Sequence, residues 1–151
     1  MESRSLVKNY IAAAKSFLDT NVLLYSHDAG AGSKHAAARL LIQTLMESQG
    51  CVVSTQVLQE FCVNARRMNR DLRLEQLRVW IEDFSTWQVV ANTAESVLAA
   101  LEIERKYQIS FWDALIVHAA QVSGAEILYS EDLNHGQLYG SVRVVNPFLT
   151  Q

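Results

Sequence analysis

Four acidic side chains stand out because of where they fall relative to the predicted strands and helices. Asp19 closes a predicted strand, Glu60 lies about one and a half turns into the helix after a second strand, and Asp132 follows another strand. Asp113 lies in the stretch ISFWDALIVHAA, whose apolar residues cover nearly every side of a helical wheel. Such a helix is normally buried, and a buried carboxylate needs a hydrogen-bond partner, an opposite charge or a metal ion.

Three of these acids follow the carboxyl ends of different strands, and a parallel sheet brings such ends to one edge. Asp113 joins them there if its helix points its N-terminus at the same edge. Clustered carboxylates repel one another, and a bound cation relieves that repulsion. Mg²⁺ and Mn²⁺ prefer oxygen ligands, lower the pKa of a bound water and neutralise charge on a phosphoryl group. The pattern predicts a metal site suited to phosphodiester hydrolysis, with supporting hydrogen bonds from Thr20, Asn21 and Ser130.

Each acid also has a local explanation that needs no metal. Asp19 fits an Asx turn or a helix N-cap, and Asp132 lies in the polar turn SEDLNHG, where acids are common. Glu60 is far from the centre of the apolar face of its helix, as expected of a solvated glutamate. Asp113 follows Ser110 by three residues, which is the spacing of a capping box. A shared cation explains all four positions at once, and we therefore favour it.

The segments around these acids alternate between short strands and helices. Strands are predicted in KSFLDTN, CVVS, TWQVV, EILYS and VRVVNPF. Helices are predicted in SKHAAARLLIQTLMESQG, TQVLQEFCVNARRM, RLEQLRVWIEDF, TAESVLAALEIERKY and ISFWDALIVHAA. Ser33 is the expected N-cap of the first of these helices, Gly50 its stop, and Thr93 the cap of the fourth. The alternation predicts an α/β fold with a mostly parallel sheet covered by helices on both faces.

Composition narrows the class of protein. The chain has 151 residues, 50% of them apolar, which suits one globular domain with a substantial core. The formal charge of −3 gives no general reason to expect a nucleic-acid binder, although it does not exclude one. We interpret Cys51 and Cys62, in apolar contexts, as reduced core residues of a cytoplasmic protein. No stretch has the length of a membrane span or the apolar core of a signal peptide.

Four segments carry a resemblance to a known family. FLDTNVLLYS, STQVLQEF, FWDALIVHAA and ILYSEDL, in this order and with these spacings, resemble the four acidic motifs of the PIN-domain nucleases. The closing VVNPF is similar to the last strand of bacterial PIN proteins, especially the VapC-type toxins of toxin–antitoxin pairs. The resemblance runs from about Ser16 to Phe148. We therefore expect one PIN-like domain over residues 16–151, preceded by an N-terminal extension, residues 1–15.

The resemblance implies a three-layer α/β/α sandwich and an endoribonuclease that depends on Mg²⁺ or Mn²⁺. It implies that the acids of the metal site are Asp19, Glu60 and Asp113, that Asp132 is the fourth, and that Ser130 is its hydroxyl neighbour. It further implies a homodimer, an RNA substrate and a cognate antitoxin protein. A PIN-type RNA-processing nuclease without an antitoxin remains an alternative.

Two other classes of protein compete with this interpretation. A PIN-like scaffold that binds RNA or a protein without cutting would keep the same acids. A haloacid-dehalogenase-like phosphatase also begins with an Asp after a strand, but its chemistry needs a second Asp where this chain has Asn21, and the sequence lacks a glycine-rich phosphate loop.

A run of arginines is the remaining candidate feature. It contacts RNA phosphates, or it forms a solvated face that pairs with Asp71, Glu75 and Glu82. The resemblance implies that this segment often contributes to dimer or antitoxin contacts, so we expect it to contribute to binding rather than to chemistry. The residues are Arg66, Arg67, Arg70, Arg73 and Arg78.

Overall fold

A six-stranded sheet with helices packed on it makes up the computed structural model, which describes residues 15–149. Its strands are β1 (Ser16–Leu18), β2 (Cys51–Ser54), β3 (Gln88–Val90), β4 (Ile127–Tyr129), β5 (Leu138–Tyr139) and β6 (Val142–Val145). Its α-helices are α1 (Thr20–Ser26), α2 (Ser33–Glu47), α3 (Thr55–Met68), α4 (Leu74–Phe84), α5 (Ala94–Tyr107) and α6 (Phe111–Ser123). The expected extension, residues 1–15, lies outside the described residues except for Lys15.

The strand order β3-β2-β1-β4-β6-β5 places β1 at the centre of the sheet, and only the β5–β6 pair is antiparallel. Phe17 of β1 is paired with Val52 of β2 on one side and with Leu128 of β4 on the other. These residues are essentially fully buried. Burying an apolar side chain of this size stabilises the fold by roughly 1.5–3 kcal/mol. The predicted mostly parallel sheet is confirmed.

The direction of the crossovers accounts for the two helical layers. From β1 the chain moves to β2 and then to β3, whereas the next connection returns past β1 to β4. Because parallel crossovers are right-handed, this reversal puts α5 and α6 on the opposite face of the sheet from the earlier helices. The point of reversal lies between β1 and β4, and in open parallel sheets that is where sites form, beyond the carboxyl ends of the strands.

The ends of two helices were predicted with mixed success. Thr93 caps α5, and its hydroxyl forms a capping box with Ser96, as expected from the sequence. Ser33 is the first helical residue of α2 rather than its N-cap; that position belongs to Gly32, which has no side chain to accept a capping hydrogen bond. Gly50 is not the residue that ends α2, because the left-handed turn falls on Gln49, whose φ is 56°.

Several short elements were absent from the sequence interpretation. Thr20 and Asn21 begin a seven-residue helix, α1, where only a turn or a helix start was expected. The two-residue strand β5 pairs antiparallel with β6, and a single 3₁₀ turn spans Ala29–Ala31. Segments this short carry too few residues for a hydrophobic period to show. Among residues 15–149, no helix is both long and apolar enough to cross a bilayer.

The left-handed turn after α2 gives a prediction about stability. The positive φ of Gln49 carries a steric cost because of its Cβ atom, and glycine has no such cost. Gln49→Gly is therefore expected to stabilise the protein by up to about 1 kcal/mol. Gln43 is the control, because it is exposed inside the same helix, and Gln43→Gly should destabilise by about 1 kcal/mol. Urea unfolding of the two variants measures both effects. A loss of stability in Gln49→Gly would contradict this account of the helix end.

Candidate active site

Asp19 lies directly after β1 at the centre of the carboxyl edge and is only 5% exposed. It is the N-cap of α1: its Oδ1 accepts a hydrogen bond from the backbone N–H of Thr20 at 2.7 Å. Its Oδ2 accepts a hydrogen bond from the hydroxyl of Ser130, just past β4, at 2.7 Å. The N-cap role proposed as a local explanation is therefore present, and it fixes the carboxylate between two neighbouring strands.

The two residues after Asp19 connect the start of α1 to two more acids. Thr20 Oγ1 donates to Glu60 Oε2 of α3 at 2.8 Å, and Asn21 Nδ2 donates to Asp132 Oδ2 at 3.2 Å. Three consecutive residues thus reach side chains from two distant parts of the chain, α3 and the segment after β4. Thr20, Asn21 and Ser130, predicted as supporting residues, all hydrogen-bond to the predicted acids. Glu60 is half-buried and bonded here, so the alternative of a fully solvated glutamate is wrong.

Gln56 is a site residue that the sequence interpretation missed. It is 4% exposed, and its Nε2 donates to Glu60 Oε1 at 2.7 Å and to the backbone carbonyl oxygen of Trp112 at 3.2 Å. It therefore joins α3 to the first turn of α6, beside Asp113. The available signal was its position one helical turn before Glu60 in TQVLQEF, a spacing that puts both side chains on one face.

Asp113 lies in the first turn of α6, where the hydroxyl of Ser110 accepts a hydrogen bond from its backbone N–H at 3.1 Å. The N-cap predicted at Ser110 is confirmed. Partial burial raises the pKa of Asp113, the charge of Glu60 adds to this effect, and the Ser110 hydroxyl opposes it. α6 is less uniformly buried than its sequence indicated, because Trp112 is 64% exposed and Val122 is also exposed.

The electrostatics show that the four acids share one region. Burial is the main reason that the pKa of Asp19 rises to about 7, and the charges of Asp132 and Glu60 contribute to the rise. Burial also raises the pKa of Asp132, together with the charges of Asp113, Glu131 and Glu60, while the Asn21 amide opposes the rise. Carboxylates that repel one another in this way create a negative electrostatic potential, which favours a cation.

Glu131 also lies in this region, but its carboxylate contacts side chains other than those of the four acids and their supporting residues. The Tyr25 hydroxyl donates a hydrogen bond to Glu131 Oε1, and Lys34 Nζ lies 2.9 Å from Glu131 Oε2. Lys34 also lies over the ring of Tyr25, 4.9 Å from its centroid. These contacts tie the loop after β4 to α1 and α2, so they fix the backbone that carries Ser130 and Asp132.

The side-chain oxygens of the site are the ligands that a hard cation prefers. They are not, however, arranged as a complete set of metal ligands. Among residues 15–149, no three His, Cys, Asp or Glu side chains are grouped closely enough to hold one metal ion as they stand. The amide oxygens of Asn21 and Gln56 are buried and accept no hydrogen bond from any residue that the structure describes, although buried acceptors are normally satisfied. Such oxygens, beside carboxylates that repel one another, are ligands of the kind that a hydrated Mg²⁺ or Mn²⁺ prefers.

The acids of this site lie at the carboxyl edge of a mostly parallel sheet, in a fold that a known protein family shares. The family model of the PIN domain matches residues 16–140, and the chain is a member of the PIN domain family. The family resemblance noted in the acidic motifs is confirmed.

Two solved structures show the same fold. VapC20 from Mycobacterium tuberculosis, a sarcin-ricin loop cleaving toxin, is 19% identical with a TM-score of 0.59, over 76% of this chain and 88% of that one. A toxin–antitoxin complex from Klebsiella pneumoniae contains a chain that is 22% identical with a TM-score of 0.62, over 88% of this chain and 98% of that one. A comparison with curated proteins gave no match.

The burial of Asp19 predicts how stability depends on pH without metal. Because its pKa is about 7 in the folded protein and near 3.9 in an unfolded chain, the folded state binds the extra proton between these values. The contribution of Asp19 to stability is then fully present below its unfolded pKa and is lost as pH rises toward its folded pKa of about 7. Asp19→Asn removes this titration, so its gain over the parent should be about 2 kcal/mol larger at pH 8 than at pH 5.

Urea unfolding in EDTA at the two pH values measures this difference. Asp71→Asn, at an exposed carboxylate, serves as the control and should show no comparable change. A gain for Asp19→Asn that is the same at both pH values would show that Asp19 does not titrate as described.

The bonds of Gln56 give a second prediction. Gln56→Met keeps the length of the side chain but removes the donor to Glu60 and to the Trp112 carbonyl, and so removes two hydrogen bonds that join α3 internally and to α6. We expect a loss of about 1–3 kcal/mol in the free energy of unfolding. Gln59→Met, at an exposed position of the same helix, should change it by less than about 0.5 kcal/mol. Equal effects of the two substitutions in urea unfolding would refute the bridging role of Gln56.

Proposed function

We propose that this chain is a metal-dependent endoribonuclease that hydrolyses RNA phosphodiester bonds. The observation that carries the proposal is the convergence of Asp19, Glu60, Asp113 and Asp132, through their charges and hydrogen bonds, at the carboxyl edge of β1 and β4. Membership of the PIN domain family supports the assignment. A purely structural role for the acids would leave only the neighbouring hydrogen-bond donors to offset their mutual repulsion.

In this proposal Asp19, Glu60, Asp113 and Asp132 hold Mg²⁺ or Mn²⁺. The bound ion lowers the pKa of a water ligand and neutralises charge on the phosphate.

The neighbouring residues of the chain hold the acids in position. The Ser130 hydroxyl and the Thr20 N–H hold the Asp19 oxygens, and the Thr20 hydroxyl and the Gln56 amide orient Glu60. Asn21 orients Asp132.

The finer proposal is that the chain is the toxin of a type II toxin–antitoxin pair. Its support is the structural similarity to a sarcin-ricin loop cleaving toxin and to a chain of a toxin–antitoxin complex. The partners proposed with it are a cognate antitoxin protein and a second copy of the chain in a homodimer. Cys51 and Cys62 are free thiols in the structure, and we place the protein in the cytoplasm.

The central test is cleavage of a labelled single-stranded RNA pool with Mg²⁺, Mn²⁺ or EDTA. The parent should cut with either metal and not in EDTA. Asp113→Asn should reduce the rate by about 100-fold or more, as losses of charge-stabilising groups do elsewhere, because it removes one carboxylate from the cluster. Asp71→Asn, which changes the same functional group outside the site, should cut like the parent.

Two further measurements accompany the cleavage assay. Mg²⁺ should raise the melting temperature of the parent more than that of Asp113→Asn, because a ligand bound only to the folded state stabilises it. Expression of the parent should arrest bacterial growth, and Asp113→Asn should not. Equal cleavage by parent and Asp113→Asn would refute the metal site, and cleavage without growth arrest would favour an RNA-processing nuclease.

A further inference from the structure

The arginine run divides into two groups in the structure. Arg78 pairs with Glu82 at 2.8 Å and Arg73 with Glu75 at 3.8 Å, as the solvated-face interpretation predicts. The other three arginines line an open hollow of about 360 Å³ whose remaining wall is Val63; they are Arg66, Arg67 and Arg70. None of these three forms an ion pair with any residue in the range 15–149.

The end of helix α3 accounts in part for two of the three, Arg66 and Arg67, which both lie in its last turn. Arg66 Nε donates to the backbone carbonyl oxygen of Cys62 at 2.9 Å, and positive charge is favourable in the last turn of a helix. Within the described part of the chain, Arg67 and Arg70 have no hydrogen bond of their own. Both are exposed, so their guanidinium groups are available to a ligand.

The geometry of α3 aligns this hollow with the acid site. Arg67 follows Glu60 by seven residues, which is about two helical turns, or roughly 10 Å along the axis and about 20° around it. Both lie on the same edge of the helix, where Glu60 is half-buried and Arg67 is exposed. A ligand that reaches the acids at Glu60 and follows this edge therefore arrives at Arg67.

The chemistry of the hollow favours a polyanion. Guanidinium groups bind phosphate through two parallel hydrogen bonds and stay charged at all physiological pH values. Val63 is the single apolar side chain among those lining the hollow, whereas the centre of a protein–protein interface is usually apolar. The acid cluster itself repels RNA when no cation is bound, so nearby positive charge is needed to attract the strand.

We propose that Arg67 and Arg70 form a phosphate subsite that binds the RNA backbone a few nucleotides from the bond that is cut. Arg66 adds positive charge beside them. This inference rests on the proposed ribonuclease function and adds to it the path of the substrate along α3. The subsite acts in binding, so it affects the affinity for RNA and not the chemical step.

The test compares two double variants that remove the same charge. Arg67→Ala/Arg70→Ala removes the hollow's free arginines, and Arg73→Ala/Arg78→Ala removes the two that are already paired. Binding of a fluorescein-labelled single-stranded RNA pool is measured between 50 and 200 mM KCl, in the Asp19→Asn background to prevent cleavage. Each lost phosphate contact lowers the slope of log K against log[salt] by about 0.7. The first variant should therefore lose about 1.4 in slope and about 10- to 30-fold in affinity at 100 mM salt.

Cleavage kinetics in the unmodified background give the second readout. Arg67→Ala/Arg70→Ala should raise KM with little change in kcat, and its melting temperature should match that of the control variant.

Each outcome decides between the inference and its rivals. If the parent cuts RNA and both double variants bind RNA equally well, the subsite is refuted while the ribonuclease stands. If the first variant keeps its affinity for RNA but changes its oligomeric state in light scattering, the hollow is a protein interface and the inference is overturned. If the parent neither binds nor cuts any RNA, the proposed function fails and the subsite with it.

Discussion

Asp19 is held almost completely buried after the central strand, in the field of two other carboxylates, and its pKa rises to about 7. Keeping these acids together requires bonds strong enough to oppose their repulsion. The chain supplies such bonds from Thr20, Asn21, Gln56 and Ser130, each of which donates to one of the acids. The rest of the site depends on this balance, because these hydrogen bonds hold the acids where the proposed cation would bind.

The topology of the sheet makes that convergence possible. β1 and β4 are adjacent and parallel, although more than a hundred residues separate them in sequence. The direction in which successive strands are added to the sheet reverses between them. The Asp19 carboxylate and the Ser130 hydroxyl consequently meet at the ends of neighbouring strands. The second helical layer completes the site, since α6 points its N-terminal turn, with Asp113, toward the region of Glu60.

Local patterns in the sequence predicted much of this arrangement. The caps at Thr93 and Ser110, the long helices and the parallel sheet follow from side-chain type and hydrophobic period. Errors occurred where a tertiary contact or a short turn decides. The turn that ends α2 falls on Gln49, one residue before the expected Gly50, and Trp112 is exposed although its helix is apolar on nearly all sides. A helical period identifies an apolar face, but it does not tell how much of that face a neighbour covers.

The sequence by itself determined which acids the protein has, their order relative to the strands, and the family to which the chain belongs. Only the tertiary structure decided which side chains hold those acids. Thr20 donates a hydrogen bond to Glu60, forty positions away in the sequence, and Gln56 donates one to the Trp112 carbonyl, fifty-six positions away. Such pairs depend on how helices pack across the edge of a sheet, whereas side-chain periodicity describes one element at a time. The arginines divide for the same reason: Arg73 and Arg78 form ion pairs and Arg66 donates to the Cys62 carbonyl, whereas Arg67 and Arg70 do neither within residues 15–149.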